Sequence, residues 1–258
     1  MTEVVAQSLA ARLLTGSLEG AVVIAAIWAL CRFLPAVPPG VQSALWWVAA
    51  LKLIAALLPL PVISVPLLPA EEPAVIAMAP PGPHIPAGGS AARIAVAGDS
   101  RATSPATTAA SSFWTRVGIA LWLAVVFVHA GRLTVAAHRL RGVVARAMPL
   151  PPDEGAAVDR IVTAAKVSRG AHVRTSPEID APQVAGVVFP VVLLPARTFD
   201  AAERSMMLCH ELMHIRRRDL AWGWVPALAE RLFFFHPLAR LATREYVVAR
   251  EAACDAAV

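Results

Sequence analysis

Long apolar runs dominate the first half of the chain, and mixed polar and apolar patterning follows. Three runs lie near residues 13–34, 41–61 and 112–131, each close to the roughly 20 residues that cross the hydrocarbon core of a bilayer. Tryptophans stand at or near several of their ends, as side chains at a membrane interface do. The pattern predicts an α-helical membrane domain with three spans, at residues 1–146.

The second half of the chain alternates short strand-like and helix-like segments. Residues 151–167 predict a short helix, because prolines open them and acids stand in the first turn. Residues 172–195 hold β-branched clusters broken by Pro and Gly, which predict two or three short strands. Pro190 interrupts the last cluster and predicts that it forms an edge strand.

Two further helices complete the pattern. Residues 198–217 predict one, because Asp200 followed by Glu203 resembles a capping box. The other follows Pro237 and runs to the end of the chain. Residues 147–258 are therefore predicted to form a second, α+β domain.

The stretch between the second and third spans, residues 63–111, is rich in Pro, Ala, Ser and Gly, and predicts a disordered loop outside the membrane. Four arginines and no acid follow the third span up to Arg146. The positive-inside rule then places the N-terminus and the loop outside the cell and residues 147–258 in the cytoplasm, in a bacterial inner (plasma) membrane crossed several times.

Composition agrees with a membrane protein. Hydrophobic residues make up 57% of the chain and charged residues 16%, below the roughly 25% of an ordinary soluble domain. The net charge of +5 could indicate nucleic-acid binding, but the basic residues flank apolar runs, so we expect no direct nucleic-acid partner. Three cysteines without framework spacing argue against a disulfide scaffold, and we interpret Cys209 and Cys254 as core packing.

Two charged residues interrupt the spans, Glu19 in the first and Lys52 in the second. Both are expected at a similar depth in the bilayer, because the spans are antiparallel and joined by a short turn. We predict that they pair across the helical hairpin. The alternative is that the first span begins after Glu19 and that Lys52 extends its ammonium to the interface.

The motif His210-Glu211-x-x-His214 lies in the helix predicted for residues 198–217. Two histidines four residues apart point to the same side of a helix, where their neutral nitrogens can bind zinc. Glu211 stands beside them and could take a proton from a zinc-bound water. The alternative is a chance pattern on an amphipathic helix. We predict a Zn²⁺ cofactor with His210 and His214 as ligands and Glu211 as the catalytic base.

A catalytic zinc takes a third protein ligand. The candidates considered are Glu230, Glu245 and Glu251. Glu245 and Glu251 are six residues apart and point in different directions on one helix, so both cannot face the metal. Glu251 also has Asp255 four residues later, which could accept a hydrogen bond from a ligating histidine. We therefore predict Glu251 as the third ligand and Asp255 as the acceptor.

The stretches "HELMHIRRRD", "FFFHPL" and "REAACDAAV", with "PQVAGVVFPVVLLPA" before them, resemble the BlaR/MecR-type antirepressor membrane metallopeptidases, which are gluzincins. The resemblance implies a zincin-like metallopeptidase domain and the same ligands, base and acceptor. It also implies that the Val184–Pro195 strand lines the substrate. Because that family continues into a fourth span and often a sensor domain, we expect this chain to be a fragment, incomplete at its C-terminus.

The resemblance implies an integral membrane zinc endopeptidase in signal transduction, linked to antibiotic resistance. It would cleave itself or a cytosolic protein, such as a winged-helix repressor, when a β-lactam or cell-wall stress is sensed outside. Its other expected partner is the lipid bilayer, and a homodimer is left open. The alternatives are an HtpX-type membrane-protein quality-control protease and a non-catalytic receptor that zinc only stabilises. Cleavage inside the bilayer is disfavoured, because the arginines after the motif would be costly in hydrocarbon.

Overall fold

The computed structural model of the chain describes residues 3–59, 105–165, 167 and 171–257. Within them the protein is mostly helical, and three helices are long and apolar enough to cross a membrane. The elements follow one another as α1 (Glu3–Phe33), α2 (Pro39–Ala55), α3 (Pro105–Arg146), β1 (Met148–Pro149), α4 (Pro152–Ala164), β2 (His172–Ser176), β3 (Gln183–Ala185), β4 (Val191–Pro195), α5 (Ala201–Arg217), α6 (Asp219–Trp222), α7 (Trp224–Leu232) and α8 (Pro237–Asp255).

The three predicted spans fall in α1, α2 and α3, with different bounds. α1 begins at Glu3, well before residue 13, and α2 is helical only to Ala55. α3 is helical from Pro105, so the end of the loop predicted at residues 63–111 is corrected. Residues 63–104 of that loop lie outside the described part of the chain.

α3 also extends beyond the end predicted at residue 131, to Arg146. The extension is continuous because no proline or helix-terminating glycine follows the apolar run, and arginines keep it soluble. Its end contacts the sheet, where the Arg146 guanidinium donates to both carboxylate oxygens of Glu178 at 2.8 Å and Arg174 donates to the Val144 carbonyl at 3.3 Å. α3 therefore joins the membrane helices to the sheet.

The predicted pairing of intramembrane charges is confirmed. The Lys52 ammonium of α2 forms an ion pair with the Glu19 carboxylate of α1. Both side chains are partly exposed on the helix pair, where lipid would surround them, and pairing lowers the cost of a charge in that medium.

The four strands form one mixed sheet in the order β1-β2-β4-β3. β2 and β4 are parallel, and the two outer pairs are antiparallel. The edge-strand prediction drawn from Pro190 is wrong. Pro190 lies in the loop between β3 and β4, and β4 is an inner strand. A residue without N–H is tolerated there since the loop forms no ladder hydrogen bond. The edge strand beside the site is β3.

The C-terminal part contains two helices that the sequence patterns did not predict, α6 and α7. The capping prediction is confirmed for α5, since the Asp200 carboxylate accepts from the Glu203 N–H at 2.7 Å. α5 ends at Arg218, whose left-handed backbone (φ 60°) reverses the chain before α6. Because the single residue Arg218 makes this turn, the spacing of apolar residues in the sequence does not reveal where α5 ends and α6 begins.

Helices α7 and α8 form a hairpin that packs inside the membrane bundle. At its turn, Phe233 is fully buried and the His236 Nε2 lies 3.1 Å from the Ser17 carbonyl of α1. Trp122 of α3 donates its indole N–H to the Leu232 carbonyl at 2.8 Å. The segment predicted as a separate second domain thus contributes two helices to the core of the membrane part.

α8 returns from that turn along α2. Small residues of α8, together with Tyr246, face small and apolar residues of α2. The buried side chains of this contact are Ser43, Trp46, Ala49, Ala50 and Leu53 on α2 and Ala239, Ala242, Tyr246 and Ala249 on α8. The packing places the C-terminal end of α8 beside the first turns of α2. A second core, formed by α4, α5, β2 and β4, lies under the sheet.

Candidate metal centre

The α5 helix carries three of the predicted site residues in its last two turns. The Asp200 cap satisfies its N-terminal donors, and the buried residues Leu208 and Leu212 hold its opposite face against the sheet. His210 and His214 consequently point away from the sheet core, and their rings meet edge to face at a centroid distance of 4.9 Å. His214 is buried and His210 is half-buried.

The two imidazoles converge with one carboxylate. His210 Nε2 and His214 Nε2 are 3.2 Å apart, and the Glu251 Oε2 lies 3.5 Å from the first and 3.3 Å from the second. These three residues form one of two potential metal-binding groups among the described residues. The other acids considered from the sequence, Glu230 and Glu245, belong to neither group.

The outer nitrogen of each imidazole is bound by a carboxylate. His210 Nδ1 lies 3.0 Å from Asp255 Oδ1, at the position predicted for that acid. His214 Nδ1 lies 2.8 Å from Asp219 Oδ2. A carboxylate on Nδ1 fixes the tautomer that leaves Nε2 with its lone pair, so both lone pairs are directed to one point.

The sequence analysis assigned Asp219 no role. It reaches His214 because the left-handed Arg218 turns the chain back over the end of α5. The signal that could have found it is a carboxylate five residues after the second histidine, behind a run of arginines. The Asp219 side chain is 6% exposed and that of Asp255 70%, so the two histidines have partners in very different environments.

Cys254 also belongs to this arrangement, which corrects its interpretation as packing alone. Its Sγ lies 3.4 Å from His214 Nδ1 and 3.5 Å from Asp219 Oδ2, and the side chain is fully buried. Burial, followed by the nearby negative charge of Asp219, raises the pKa of the Cys254 thiol to about 12. It therefore remains a thiol that can donate to Asp219. Cys209 is half-buried. It belongs neither to the group of His210, His214 and Glu251 nor to the second potential metal-binding group, which consists of His214, Asp219 and Cys254.

The groups around His214 raise the pKa of its imidazole. Burial lowers its pKa, but the hydrogen bond to Asp219 and the charge of Glu251 outweigh burial and raise it. For Asp219, burial raises the pKa, but the hydrogen bond with His214 and the charge of Arg217 outweigh it and lower the pKa. Asp219 is thus held as a carboxylate.

Arg250 holds the free side of Glu251. Its guanidinium donates from Nε and Nη2 to Oε1 of Glu251, the oxygen that does not face the histidines. Burial raises the pKa of Glu251, but the hydrogen bond and charge of Arg250 outweigh it and lower the pKa. Oε2 remains directed at the imidazoles.

Glu211 lines the open cleft beside this centre together with the edge strand, through Gln183 and Val184. Burial raises the pKa of the Glu211 carboxyl, and the two histidines partly oppose that shift. A carboxylate whose pKa lies above its usual value is a better proton acceptor. The cleft therefore joins a proton acceptor, a set of metal-binding groups and an unpaired strand edge.

Comparison with known proteins gives matches at two levels. Residues 11–258 match the family described as BlaR1 peptidase M56. Over 85 residues, 32% of this chain, the sequence is 34% identical to "Regulatory protein BlaR1" of Bacillus licheniformis. The aligned stretch covers 14% of that relative, so the chain is similar to a small part of it.

Proposed function

The chain belongs to the BlaR1 peptidase M56 family, as its motifs predict, and from that premise we propose that it is a zinc-dependent endopeptidase embedded in a membrane. The observation that carries the proposal is the convergence of His210, His214 and Glu251 beside Glu211. A peptidase family match and a constellation of this kind support the same chemistry independently.

The donor set fits zinc in number, type and spacing. Ligand atoms of a tetrahedral zinc, bound at about 2.0–2.1 Å, stand about 3.3–3.4 Å apart. The three separations among His210, His214 and Glu251 are 3.2, 3.3 and 3.5 Å. Three protein ligands beside an open cleft leave a fourth position for water, as catalytic zinc sites require.

The residues around that position supply the remaining chemistry. A bound zinc lowers the pKa of its water to about 7 and polarises a carbonyl oxygen. Glu211 takes a proton from the attacking water and delivers it to the leaving amine. The carboxylate thus ends the hydrolysis in the protonation state in which it began. Arg250 keeps Glu251 in its binding orientation, and Asp219 and Asp255 keep the two imidazoles in theirs.

We assign β3 to substrate binding. Within the part of the chain that the structure describes, its outer edge pairs with no other strand, and Gln183 and Val184 line the cleft with Glu211. An extended peptide can add to such an edge through main-chain hydrogen bonds, which gives affinity with little side-chain selectivity. An edge strand beside the helix of the two histidines supports the zincin-like fold that we propose for this part of the chain, and it favours an endopeptidase.

A role in signal transduction is supported by the similarity to the Bacillus licheniformis protein, which is named as a regulatory protein. We propose that the catalytic part faces the cytoplasm and cleaves itself or a cytosolic winged-helix repressor when an extracytoplasmic signal, such as a β-lactam or cell-wall stress, arrives. The HtpX-type quality-control reading is disfavoured because the family whose model matches residues 11–258 is the BlaR1 peptidase. The non-catalytic receptor has no use for Glu211 in the cleft.

The test compares Glu211→Gln with Glu203→Gln, which changes an acid on the same helix away from the cleft. In the full chain purified in lipid nanodiscs, both variants should bind zinc as the wild type does. Cleavage of unfolded casein and of a co-expressed winged-helix repressor should fall roughly 100- to 10,000-fold in Glu211→Gln only. Equal cleavage by Glu211→Gln and wild type would refute the peptidase mechanism and favour the zinc-stabilised receptor.

A further inference from the structure

The loop between β3 and β4 carries the most exposed cluster of large apolar side chains in the sheet part. Val187, Val188 and Phe189 are exposed by 42%, 63% and 82%. We name residues 186–190 the hairpin tip. Gly186 has φ +88° and closely approaches the Phe189 carbonyl, so the tip is a tight turn that presents these three side chains outward.

The hairpin tip points toward the membrane end of α5. Gln183, at the start of β3, lines the cleft of His210, whereas Val187, after its end, lines a cleft with Arg218. β3 and α5 therefore run side by side in the same direction. α5 ends close to the start of α2, where a Cβ at Gly40 would lie 3.8 Å from the Arg217 guanidinium.

Residues beside the hairpin tip contact the helices of the membrane part. The cleft that Val187 and Pro190 line also contains Trp222 and Val225. Val225 packs against the core of the membrane helices. Trp222 meets Trp47 of α2 edge to face at 5.3 Å, and its carbonyl accepts the Trp47 indole N–H at 3.0 Å. The tip therefore lies beside the end of the helix bundle at which α2 begins.

We propose that the hairpin tip inserts into the headgroup region of the leaflet at this end of the spans. Its chemistry fits a lipid interface, because aliphatic and aromatic side chains are flanked by half-exposed Trp222 and exposed Arg218. Tryptophans concentrate at that depth, and arginine is attracted to anionic headgroups. The contact continues the surface of the membrane helices and needs no protein partner.

Insertion of the tip fixes where the cleft opens. β3 connects the tip directly to the edge where we expect substrate, and only two residues, Val184 and Ala185, separate the tip from Gln183. The cleft then accepts peptide segments that lie close to the bilayer surface. This consequence rests on the proposed function, but insertion of the tip does not.

The test uses the full chain in nanodiscs of phosphatidylcholine and phosphatidylglycerol, with Cys31 and Cys209 replaced by serine. A nitroxide is attached at Val188→Cys, and matched samples carry it at exposed Ala196→Cys, at the opposite end of β4, or at Val22→Cys in α1. Accessibility to oxygen and to a water-soluble nickel chelate is measured by electron paramagnetic resonance.

The label at residue 188 should be accessible to oxygen and protected from nickel, as at residue 22, whereas residue 196 should show the reverse. Adding Phe189→Asp should return the label at 188 to water, and Thr198→Asp should not. Nickel access at 188 with protection at 22 would overturn tip insertion while leaving membrane embedding intact. Protection of 188 from both reagents would also overturn it, because a protein surface would then cover the tip.

Discussion

Two carboxylates orient the two imidazoles, but only one of them is buried. Asp219 accepts from His214 inside the protein, whereas Asp255 accepts from His210 at a surface open to water. Because water can replace an exposed acceptor and cannot replace a buried one, the two should differ in effect. Asp219→Asn should weaken zinc binding about 100-fold and Asp255→Asn about 10-fold, within the range of lost outer partners.

Competition with a chromophoric chelator measures both affinities. Asp180→Asn, which changes an exposed acid outside the site, is the control and should bind zinc as the wild type does. Equal losses at Asp219 and Asp255 would show that burial of the acceptor does not decide the effect.

Arg250 offers a second residue-level prediction. Since it holds one oxygen of Glu251, Arg250→Ala should let that carboxylate rotate and weaken zinc binding about 10-fold. In the cobalt-substituted protein the d–d absorption should change, and Arg250→Lys should recover part of it. Arg244→Ala, at an exposed position on the same helix, should change neither. An unaltered cobalt spectrum in Arg250→Ala would mean that this guanidinium does not position Glu251.

Local spacing was sufficient to predict part of the site. The positions of His210 and His214 follow from helical periodicity, and the proximity of Asp255 to His210 follows once Glu251 faces the histidines. Asp219 depends instead on the left-handed residue Arg218, a conformation that arginine rarely adopts and that composition does not indicate. The contact of Cys254 with Asp219 depends on the meeting of two helices, because the two residues are 35 positions apart in sequence.

Helix contacts in the membrane part depend on close approach. A Cβ at Gly16 of α1 would lie 2.6 Å from the Cβ of Ala56, a position fixed by the backbone. Among the described residues, none lies within 4 Å of such an atom at Gly118 or Gly131 of α3. Gly16→Ala should therefore destabilise the protein by about 1–3 kcal/mol through overpacking.

Thermal unfolding in detergent, followed by tryptophan fluorescence, measures this effect. Gly118→Ala serves as the matched control and should keep the wild-type midpoint or raise it slightly, because alanine favours a helix. A wild-type midpoint in Gly16→Ala would show that α1 and α2 do not meet at this position.

Element prediction succeeded for the long apolar runs and for the short elements α4, β2, β3 and β4, and it failed for β1, α6 and α7. Three apolar runs and the pairing of Glu19 with Lys52 could be predicted, because helix length and bilayer depth fix them. β1 has two residues and α7 has nine, too few for a periodicity to be read. Pro190 misled because a proline in an apolar run fits an edge strand and a hairpin loop equally well.

At the scale of the whole molecule, the orientation in the bilayer remains a prediction. The arginines after the third span predict that the sheet lies in the cytoplasm. A cysteine at residue 156, exposed on α4, should resist membrane-impermeant maleimide in intact cells and react after lysis. A cysteine at residue 95 should react in intact cells. Labelling of residue 156 from outside would reverse the orientation and remove the cytosolic substrate with it.

The hairpin of α7 and α8 has a consequence for control of the enzyme. α8 carries Glu251 at one end and is packed along α2 over most of its length. Metal–ligand distances tolerate deviations of about 0.2 Å, whereas a helix rises about 1.5 Å per residue. A slide of α2 by a fraction of one residue, followed by α8, would carry Glu251 out of binding range. If the proposed function is correct, we expect bilayer thickness and the tilt of the spans to affect whether the zinc-binding residues converge.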